Sequence, residues 1–453
     1  MNYLNNIIWT YFFLPGVIIC GGILTVGSGF MQFRRFGLSM RLTVGRAFQK
    51  NKGDGISPLQ AASTALASTV GTGNIVGTAQ AITMGGPGAV FWLWVAALFG
   101  MMIKYAEIFL SLRYREKSEK GYVGGPMYYI KKGLGEKSAP LASAYALFAA
   151  VSALGMGNMA QINGSIGAVA DAARQFIGFG SRGEFIFRLS LGIVLALLLS
   201  LIMSGGAKGV GKAAEIIVPF MSIAFMLICL LVLICHAQKL PGVLREIILL
   251  ALSPKAAAGA AGGLGIKAAI HWGIRRSAFS NEAGLGSSAI AHAAVSTDSP
   301  FEHSMWGIFE VFADTILICT ATALCILSSG VNIPWGTTPG SELLQAAFAT
   351  VFGQSTSAVF MAAAMLLFGF ATVMGWSLYG CSCISYIFGE KALPCYRFIF
   401  LLCLILGSVM STGFIWTLAD TANALMSIPN LAAVFCLSGV VCREAEIGLK
   451  KIQ

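Results

Sequence analysis

Charged residues are scarce in this sequence: they make up 11% of its 453 residues, against about 25% in a typical soluble domain. Hydrophobic residues make up 57%, and the mean hydropathy is +0.78. Long hydrophilic stretches are also missing, the longest running from Arg113 to Pro140. These absences argue against a soluble enzyme and against a sensor with a soluble output domain. The composition predicts an integral membrane protein.

Motifs of reactive and nucleotide-binding sites are lacking as well. The histidines are scattered rather than placed at the spacing of a zinc pair, and Cys381 and Cys383 have no second cysteine pair. The segment Gly206–Lys212 resembles a phosphate-binding loop, but Ala213 stands where a magnesium-binding Ser or Thr is required. We therefore expect neither enzymatic activity nor a bound cofactor.

The net charge of +11 is distributed in a way that indicates membrane topology rather than nucleic-acid binding. Most of the 30 Lys and Arg residues lie in loops between apolar segments, and the positive-inside rule assigns such loops to the cytoplasm. The N-terminus is then outside and the C-terminus cytoplasmic, in a multi-pass protein of the cell (inner) membrane. The inside loop from His292 to His303 is an exception, since it carries no Lys or Arg.

Eleven apolar segments are candidates to cross the bilayer, which takes about 20 apolar residues in a helix. The first, Ile7–Met31, begins without basic residues and has no small-residue cleavage site after it, so we expect a helix rather than a signal peptide. A basic amphipathic stretch, Phe36–Lys50, follows it. The ten further spans are expected at Ser57–Met84, Ala89–Leu112, Leu141–Phe176, Phe185–Met203, Ala213–His236, Gly259–Val295, Glu302–Ser328, Ser355–Phe388, Phe398–Met410 and Thr412–Cys442.

Two of these ten spans contain glycine and small hydroxyl residues that a plain membrane helix would avoid, since glycine destabilises a helix interior by about 1 kcal/mol relative to alanine. We expect the first core span to break at Thr69–Gly77 and the sixth at Phe279–Gly286. Backbone groups freed in hydrocarbon must find a partner or line a cavity. Paired breaks in corresponding spans of two inverted halves are typical of the midplane site of a transporter.

The position of the breaks divides the chain into four expected parts. They are an extra N-terminal helix with its basic amphipathic segment (1–56), a first repeat of core helices 1–5 (57–238), a linker with a surface helix at Lys239–Lys255 (239–258), and a second repeat of core helices 6–10 with a cytoplasmic tail (259–453). The repeat is one of hydropathy, since the two halves show no visible residue-level similarity.

Four stretches together resemble the alanine or glycine:cation symporter family: Thr69–Gly77, Gly85–Trp94, Gly124–Tyr129 and Phe279–Gly286. The resemblance extends over nearly the whole chain. It implies an all-α integral membrane protein with the APC-superfamily (LeuT-like) five-plus-five inverted repeat and one added N-terminal helix. It also implies sodium-coupled symport of a small neutral amino acid, alanine or glycine, into the cell by alternating access.

An amino acid zwitterion requires donors for its carboxylate and acceptors for its ammonium, and half-helix ends supply both. The residues expected to line the substrate site are Thr72, Gly73, Asn74, Gln161, Phe279, Ser280, Asn281 and Trp376. By the resemblance, the amides of Thr72 and Gly73 would hold the carboxylate, and Trp376 would cap the pocket and favour a small side chain. Asn163, in the same polar run as Gln161, is expected to face the same cavity.

The resemblance also implies a sodium site between the first and eighth core helices, with all-oxygen ligands that suit a hard cation. The expected ligands are the carbonyls of Ala67, Val70, Phe368 and Ala371 and the hydroxyl of Thr372. The eighth-helix positions share one face, because they are spaced i, i+3, i+4. Val373 stands where a family-like site has a second hydroxyl, so one ligand is missing. A hydroxyl of Thr372 that simply bonds its own helix backbone is the other interpretation.

Ionisable residues inside membrane spans are functional candidates by default. Lys104 and Glu107 stand i, i+3 on the second core span, where mutual pairing is one interpretation. Arg275 and Arg276 precede Glu282 in the sixth span, and structural pairing is the interpretation we favour.

Alternatives remain open. The same fold could couple transport to protons through Glu310 or Asp314, which are i, i+4 on the seventh span, or carry a larger amino acid such as glutamine. A membrane-embedded enzyme, a sensor and a channel are more remote alternatives. Asp171 and Asp420 have no role that the sequence assigns. The expected partners are a small neutral amino acid, sodium and the lipid bilayer, without nucleic acid or an obligate protein partner.

Overall fold

The computed structural model describes residues 7–47, 56–118, 121–178, 180–252, 265–410 and 412–452, and nearly all of them are helical. The helices are α1 Ile8–Gly27, α2 Met31–Arg34, α3 Phe36–Leu42, α4 Pro58–Thr69, α5 Thr78–Gly85, α6 Gly88–Tyr114, α7 Pro126–Leu134, α8 Glu136–Arg174, α9 Ser181–Ser204, α10 Gly206–Cys235, α11 Leu240–Leu252, α12 Ile266–Asn281, α13 Ser287–Ala293, α14 Pro300–Ser329, α15 Glu342–Phe352, α16 Gln354–Phe388, α17 Leu393–Val409 and α18 Thr412–Ile452. A small antiparallel hairpin, β1 Glu116–Ser118 and β2 Gly121–Val123, follows α6.

Nine helices in the described ranges are long and apolar enough to cross a membrane. The two spans expected to be broken are present as shorter pieces, α4 with α5 and α12 with α13. The all-helical membrane architecture is therefore confirmed, whereas the count of eleven spans remains a prediction.

The helices differ in how much of their surface is inside the protein. Within the most apolar window, 67% of α6 is buried but only 22% of α9 and 28% of α10. Leu201 and Ile216 on these two outer helices are more than 70% exposed, as side chains that face lipid would be. Helix α6 is thus an interior helix on which α5, α12 and α13 pack, whereas much of the surface of α9 and α10 is exposed.

The described residues before and between the expected repeats are largely helical. The basic stretch forms α3 and a short 3-10 turn, Val44–Arg46. It lies against the start of α14, where Arg46 pairs with Glu302 at 2.6 Å. The linker forms α11, whose Ala251 carbonyl accepts a hydrogen bond of 3.1 Å from Trp92 of α6. The last part of the predicted linker helix lies outside the described residues.

The start of the first broken span meets the end of the second. Ile56, just before α4, forms a parallel β-bridge with Val295, just after α13. The Ile56 amide donates to Ala294 O at 3.4 Å, and the Ser296 amide donates to Ile56 O at 3.2 Å. These hydrogen bonds tie the two half-helices α4 and α13 together at one face of the protein.

Candidate substrate and cation site

The first core span opens at Val70–Thr72. Helix α4 starts at a capping box between Ser57 and Gln60, and it ends where Val70 adopts a non-helical backbone conformation, with ψ of 88°. The Gly71 amide then donates to Asn74 Oδ1 at 2.9 Å, and the Thr72 amide donates to Gln161 Oε1 at 3.1 Å. A π-helical turn, Gly73–Gly77, restarts the helix and leads into α5. The break expected in this region is therefore present.

Glycine is required at this opening because other helices approach the backbone closely. A methyl group added at Gly71 would lie 2.4 Å from Thr372 Oγ1 of α16. One added at Gly73 would lie 3.2 Å from Cδ1 of Phe279 on α12. The opened backbone thus contacts both the eighth core helix and the sixth, as the sequence analysis expected of a shared site.

The sixth core span opens one turn later than expected. Phe279, Ser280 and Asn281 are helical and form the last turn of α12. The chain leaves the helix at Glu282, whose φ of 57° is left-handed, and Gly284 and Gly286 also have positive φ values of 92° and 73°. Glycine adopts such angles readily and other residues rarely do. The break therefore spans residues 282–286, and the expected wall residues belong to the helix that precedes it.

Lys104 and Glu107 hold the two sides of this break instead of pairing with each other. Lys104 Nζ donates to Asn281 O at 2.7 Å, at the carbonyl end of α12. Glu107 Oε1 accepts from the amides of Gly284 and Gly286 at 3.0 and 3.1 Å, just before α13. A cation at a helix C-terminus and an anion near an N-terminus each complement the helix dipole. The mutual pairing considered from sequence is therefore wrong: the spacing places both charges on one helix face, and each binds a different half-helix.

Glu282 is bonded to the eighth core helix rather than to an arginine. Its carboxylate accepts from Trp376 Nε1 at 2.7 Å, from Ser287 Oγ at 2.5 Å and from Ser68 Oγ at 3.4 Å. Trp376 is fully buried, and a methyl group added at Gly157 of α8 would lie 2.2 Å from its Cγ. The indole thus lies between the third core helix and the sixth-span break.

The arginines of α12 have other partners. Arg275 pairs with Asp420 of α18 at 2.6 Å, which gives Asp420 the structural role that the sequence did not assign. The Arg276 guanidinium lies over the rings of Trp272 and Phe279, at 5.1 and 5.5 Å from their centres. Structural pairing is confirmed for Arg275, with a different acid. Asp171, the other unplaced acid, is 3.5 Å from the exposed Arg174.

Residues from both broken spans converge on Asp314 of α14. Asn74 Nδ2 donates to Asp314 Oδ1 at 2.7 Å, and Ser280 Oγ donates to Oδ2 at 2.9 Å. Thr315 Oγ1 also donates to Oδ2, and it accepts from Asn281 Nδ2 at 3.0 Å. Asn74 of the first span and Ser280 of the sixth thus meet at one buried carboxylate, which Asn281 reaches through Thr315.

Gln161 reaches the break, but its neighbour in the polar run does not. Gln161 Oε1 accepts from both the amide and the hydroxyl of Thr72, at 3.1 and 2.8 Å. Asn163 Nδ2 instead donates to Gly407 O at 2.9 Å and Met410 O at 2.8 Å, at the end of α17. The expectation that Asn163 shares the cavity is wrong, because two residues along a helix point to different sides.

The expected cation ligands are all buried where α4 meets α16. The amides of Gly71 and Asn74 would pair with Ala67 O and Val70 O in an unbroken helix. They donate instead to Asn74 Oδ1 and to Gly71 O. The Thr372 hydroxyl donates to Phe368 O at 3.0 Å, as a helix hydroxyl commonly does, and it lies against Gly71. Ala371 completes this set on the same face of α16.

The expected substrate residues are buried. Thr72, Asn74, Gln161, Phe279, Ser280, Asn281, Thr372 and Trp376 are each at most 3% exposed, and Gly73 is buried. In this conformation any ligand would be fully surrounded by protein, which strengthens each polar contact with it.

Sequence reasoning missed several members of these networks. Tyr379, whose hydroxyl lies 2.9 Å from Ser68 Oγ, extends the Glu282 network. Asn430 of α18 donates to Glu107 Oε1 at 2.6 Å and to Gly284 O at 2.8 Å, and accepts from the Tyr129 hydroxyl. Because Asn430 is an asparagine in an apolar span, the sequence did contain a signal that could have revealed its role.

Comparison with known proteins identifies the family. The profile of the sodium:alanine symporter family matches residues 1–449. The sodium/alanine symporter AgcS of Methanococcus maripaludis is 38% identical over 451 residues, covering 98% of this chain and 96% of that protein. The probable sodium/glutamine symporter GlnT of Bacillus subtilis is 36% identical over 441 residues, covering 96% of this chain and 87% of that protein.

A solved structure shows the same fold. The crystal structure of MhsT in complex with L-phenylalanine has a TM-score of 0.58 and 14% identity, and covers 88% of this chain and 99% of that chain. The LeuT-like transporter fold implied by the sequence is thereby confirmed. The chain is a multi-pass secondary transporter, and it belongs to the sodium:alanine symporter family.

Proposed function

We propose that this protein couples sodium entry to the uptake of a small neutral amino acid, alanine or glycine, by alternating access. The observation that carries the proposal is that two opened helices meet at one buried, polar site. Both helices contribute hydrogen-bonding groups to it. Membership in a family named for sodium and alanine supports the same assignment.

The donors of Thr72 define where the substrate carboxylate would bind. Its amide and hydroxyl both point at a single oxygen, Gln161 Oε1. That amide oxygen stands in for a carboxylate oxygen, because both are planar acceptors that take two hydrogen bonds. When substrate enters, its carboxylate replaces Gln161 Oε1, and the adjacent Gly73 amide and the Asn74 side chain complete the first-span contribution. Gln161 then turns its amide group toward the substrate.

The acceptors for the ammonium would come from the end of the sixth span. Asp314 and the Ser280 hydroxyl face the first-span break through Asn74, and Asn281 adjoins them. Phe279 lies within 3.2 Å of the space that a side chain at Gly73 would fill, and Trp376 is packed on Gly157. These two rings leave room for a small side chain.

The sodium ion would bind beside this pocket, between α4 and α16. Carbonyls of Ala67 and Val70, whose helical donors are turned elsewhere, would supply two oxygens. Phe368 O, Ala371 O and the Thr372 hydroxyl would supply the others. An uncharged, all-oxygen set suits a hard monovalent cation that must be released again.

Uptake of labelled alanine into proteoliposomes tests the proposal. We expect accumulation under an inward sodium gradient and its loss when choline replaces sodium at fixed pH. Alanine uptake that is unchanged in choline, or no uptake by demonstrably folded protein, would contradict it.

Two variants of this function have specific support. The first is proton coupling, to which Asp314 is suited as a buried carboxylate bonded to both broken spans. The second is transport of glutamine, because a relative is described as a probable sodium/glutamine symporter. Uptake that persists in choline and follows a pH gradient would favour the first. Glutamine that competes with alanine at equal concentration would favour the second.

The proposed topology keeps the N-terminus outside and the C-terminus in the cytoplasm, with repeats at 57–238 and 259–453. The paired breaks at residues 70–72 and 282–286 support the inverted arrangement. We expect single cysteines placed in the β1–β2 hairpin to be labelled from the cytoplasmic side alone.

A further inference from the structure

A chain of four buried ionisable side chains connects one face of the protein to the sixth-span break. His303 Nε2 lies 2.8 Å from His292 Nδ1, and His292 Nε2 lies 2.6 Å from Glu310 Oε1. Glu310 Oε2 lies 4.0 Å from Lys104 Nζ, which donates to Asn281 O at 2.7 Å. His303 is 4% exposed, and the other three are at most 1% exposed. The transport site proposed above uses none of the three residues His303, His292 and Glu310.

The contacts allow one neutral arrangement of the two histidines. A Glu310 carboxylate can only accept, so His292 must carry its proton on Nε2. His292 Nδ1 is then an acceptor, and His303 must donate to it from Nε2. His303 Nδ1 is left as the basic nitrogen at the outer end of the chain. This order of donors and acceptors is that of a proton wire, since every link already carries the proton that it would pass on.

We propose that His303, His292 and Glu310 form a proton-binding site that is separate from the sodium site and regulates the sixth-span break. A proton binds to His303 Nδ1, and the Nε2 proton of His303 passes to His292 Nδ1. The Nε2 proton of His292 then passes to Glu310 Oε1. One proton has been taken up, both histidines are neutral again with their protons on Nδ1, and Glu310 is a neutral carboxylic acid.

Charged side chains lie at both ends of this chain of contacts. On the His303 side, Arg115 donates to the carbonyls of Ala293 and Val295. Lys104 is the cation of the inner cluster, and it faces Glu107, Glu282 and Asp314 as well as Glu310. A proton on Glu310 lowers the excess of negative charge in this cluster.

Protonation changes how Lys104 divides its contacts. While Glu310 is charged, the Lys104 ammonium is attracted both to Glu310 Oε2 and to Asn281 O. A neutral Glu310 competes less, so Lys104 binds the carbonyl end of α12 more firmly and holds the break in its closed geometry. Acid at this face is therefore expected to slow turnover.

Nitrogen NMR of histidine gives a test that does not depend on what is transported. The chain has four histidines, so selective labelling with 15N and single His→Gln variants identify each signal. We expect His292 and His303 to carry their protons on Nε2 at the alkaline end of a titration in which the protein stays folded, and on Nδ1 at its acid end. In Glu310→Gln the tautomers should not change between these conditions, because an amide takes up no proton. Unchanged tautomers in the unmodified protein would overturn the proposal.

Uptake measured with equal pH on both sides and saturating sodium tests the regulatory role, and this arm rests on the proposed function. Glu310→Gln should be slow at every pH, as the protonated form is. His303→Gln should be fast at every pH, because the wire has lost its entrance. The unmodified protein should pass between these two levels, and His271→Gln, outside the chain of contacts, should follow it. Variants that keep the unmodified pH profile, or that share one level, would overturn the role.

If no variant takes up alanine while the tautomers switch as described, the proposed substrate is wrong and the proton site stands. If uptake is normal and the tautomers do not switch, the proton site is wrong and the transport function stands.

Discussion

A single oxygen atom, Gln161 Oε1, satisfies both donors of Thr72 in the closed site. The contact keeps the Thr72 amide hydrogen-bonded while no substrate is bound. A buried amide without a partner would destabilise the folded protein by about 1–3 kcal/mol. At the proposed substrate site, binding of a carboxylate would therefore exchange one acceptor for another. Gln161 would then affect both the stability of the protein without substrate and its affinity for a carboxylate.

Thr372 allows the cation site to be tested at one hydroxyl. We expect Thr372→Ala to raise the sodium concentration for half-maximal uptake about tenfold, which corresponds to about 1.4 kcal/mol, because one of few oxygen ligands is lost. Thr372→Ser keeps the hydroxyl and should stay near the unmodified value. Sodium titrations of alanine uptake measure both. An unchanged sodium requirement in Thr372→Ala would move the cation site elsewhere.

Gly157 tests the position of Trp376. The added methyl group of Gly157→Ala would overlap the indole, and we expect this variant to be destabilised by about 1–3 kcal/mol, as overpacked cores are. It should also bind alanine more weakly, because Trp376 is pushed away from Glu282. Gly167→Ala on the same helix is the matched control, since no atom lies within 4 Å of its added methyl group. Thermal unfolding and alanine binding are measured for Gly157→Ala and Gly167→Ala. Equal unfolding temperatures and affinities would contradict the packing of Trp376 on Gly157.

At the scale of helices, α6 organises the second break through charges spaced three residues apart. Lys104 binds the end of α12, and Glu107 binds the amides before α13. Each charge faces the half-helix end of opposite partial charge. A regular helix in this way fixes the irregular segment that a transporter needs.

Glu107 tests this arrangement. We expect Glu107→Ala to lower the unfolding temperature by several degrees, since the amides of Gly284 and Gly286 would lose their acceptor and each unpaired amide costs about 1–3 kcal/mol. Glu107→Gln retains an acceptor oxygen and should lose less. Glu444→Gln, whose partner Arg113 is exposed, should unfold near the unmodified temperature. Comparable stability of Glu107→Ala and Glu444→Gln would refute the role assigned to Glu107.

The sequence predicted most helices because long apolar runs and glycine clusters are local signals. Ser57, Gly71 and Gly73 marked the first broken span correctly. The second break was placed a turn too early because Phe279–Asn281 are compatible with helix, and the glycines that require positive φ come later. Side-chain partners such as Asp420 for Arg275 depend on the approach of spans far apart in sequence, which no local pattern encodes. The ligand sets implied for substrate and sodium remain predictions.

At the scale of the whole molecule, glycines let helices of different spans pack closely against one another. A methyl group added at Gly375 of α16 would lie 2.9 Å from Ser68 Cβ of α4, and one added at Gly307 of α14 would lie 2.7 Å from the Tyr105 amide of α6. Close contact through glycine leaves smooth surfaces between helices. Such surfaces are suited to the small relative movements of alternating access.

A cross-link between residues 56 and 295 tests which parts move together. The two residues are directly paired in a β-bridge, which is within the reach of a disulfide. With the exposed cysteines Cys235, Cys395 and Cys436 replaced by serine, we expect the oxidised double variant Ile56→Cys, Val295→Cys to retain alanine uptake. The reduced form of the same protein is its control. Inhibition that a reductant reverses would show that the paired segments separate during transport.

The bridge between Ile56 and Val295 has a mechanical consequence. The residues just before α4 are hydrogen-bonded to the residues just after α13. Movement of either segment alone toward solvent would break these hydrogen bonds. If this face opens in the proposed transport cycle, we expect the segments around Ile56 and Val295 to move as one unit.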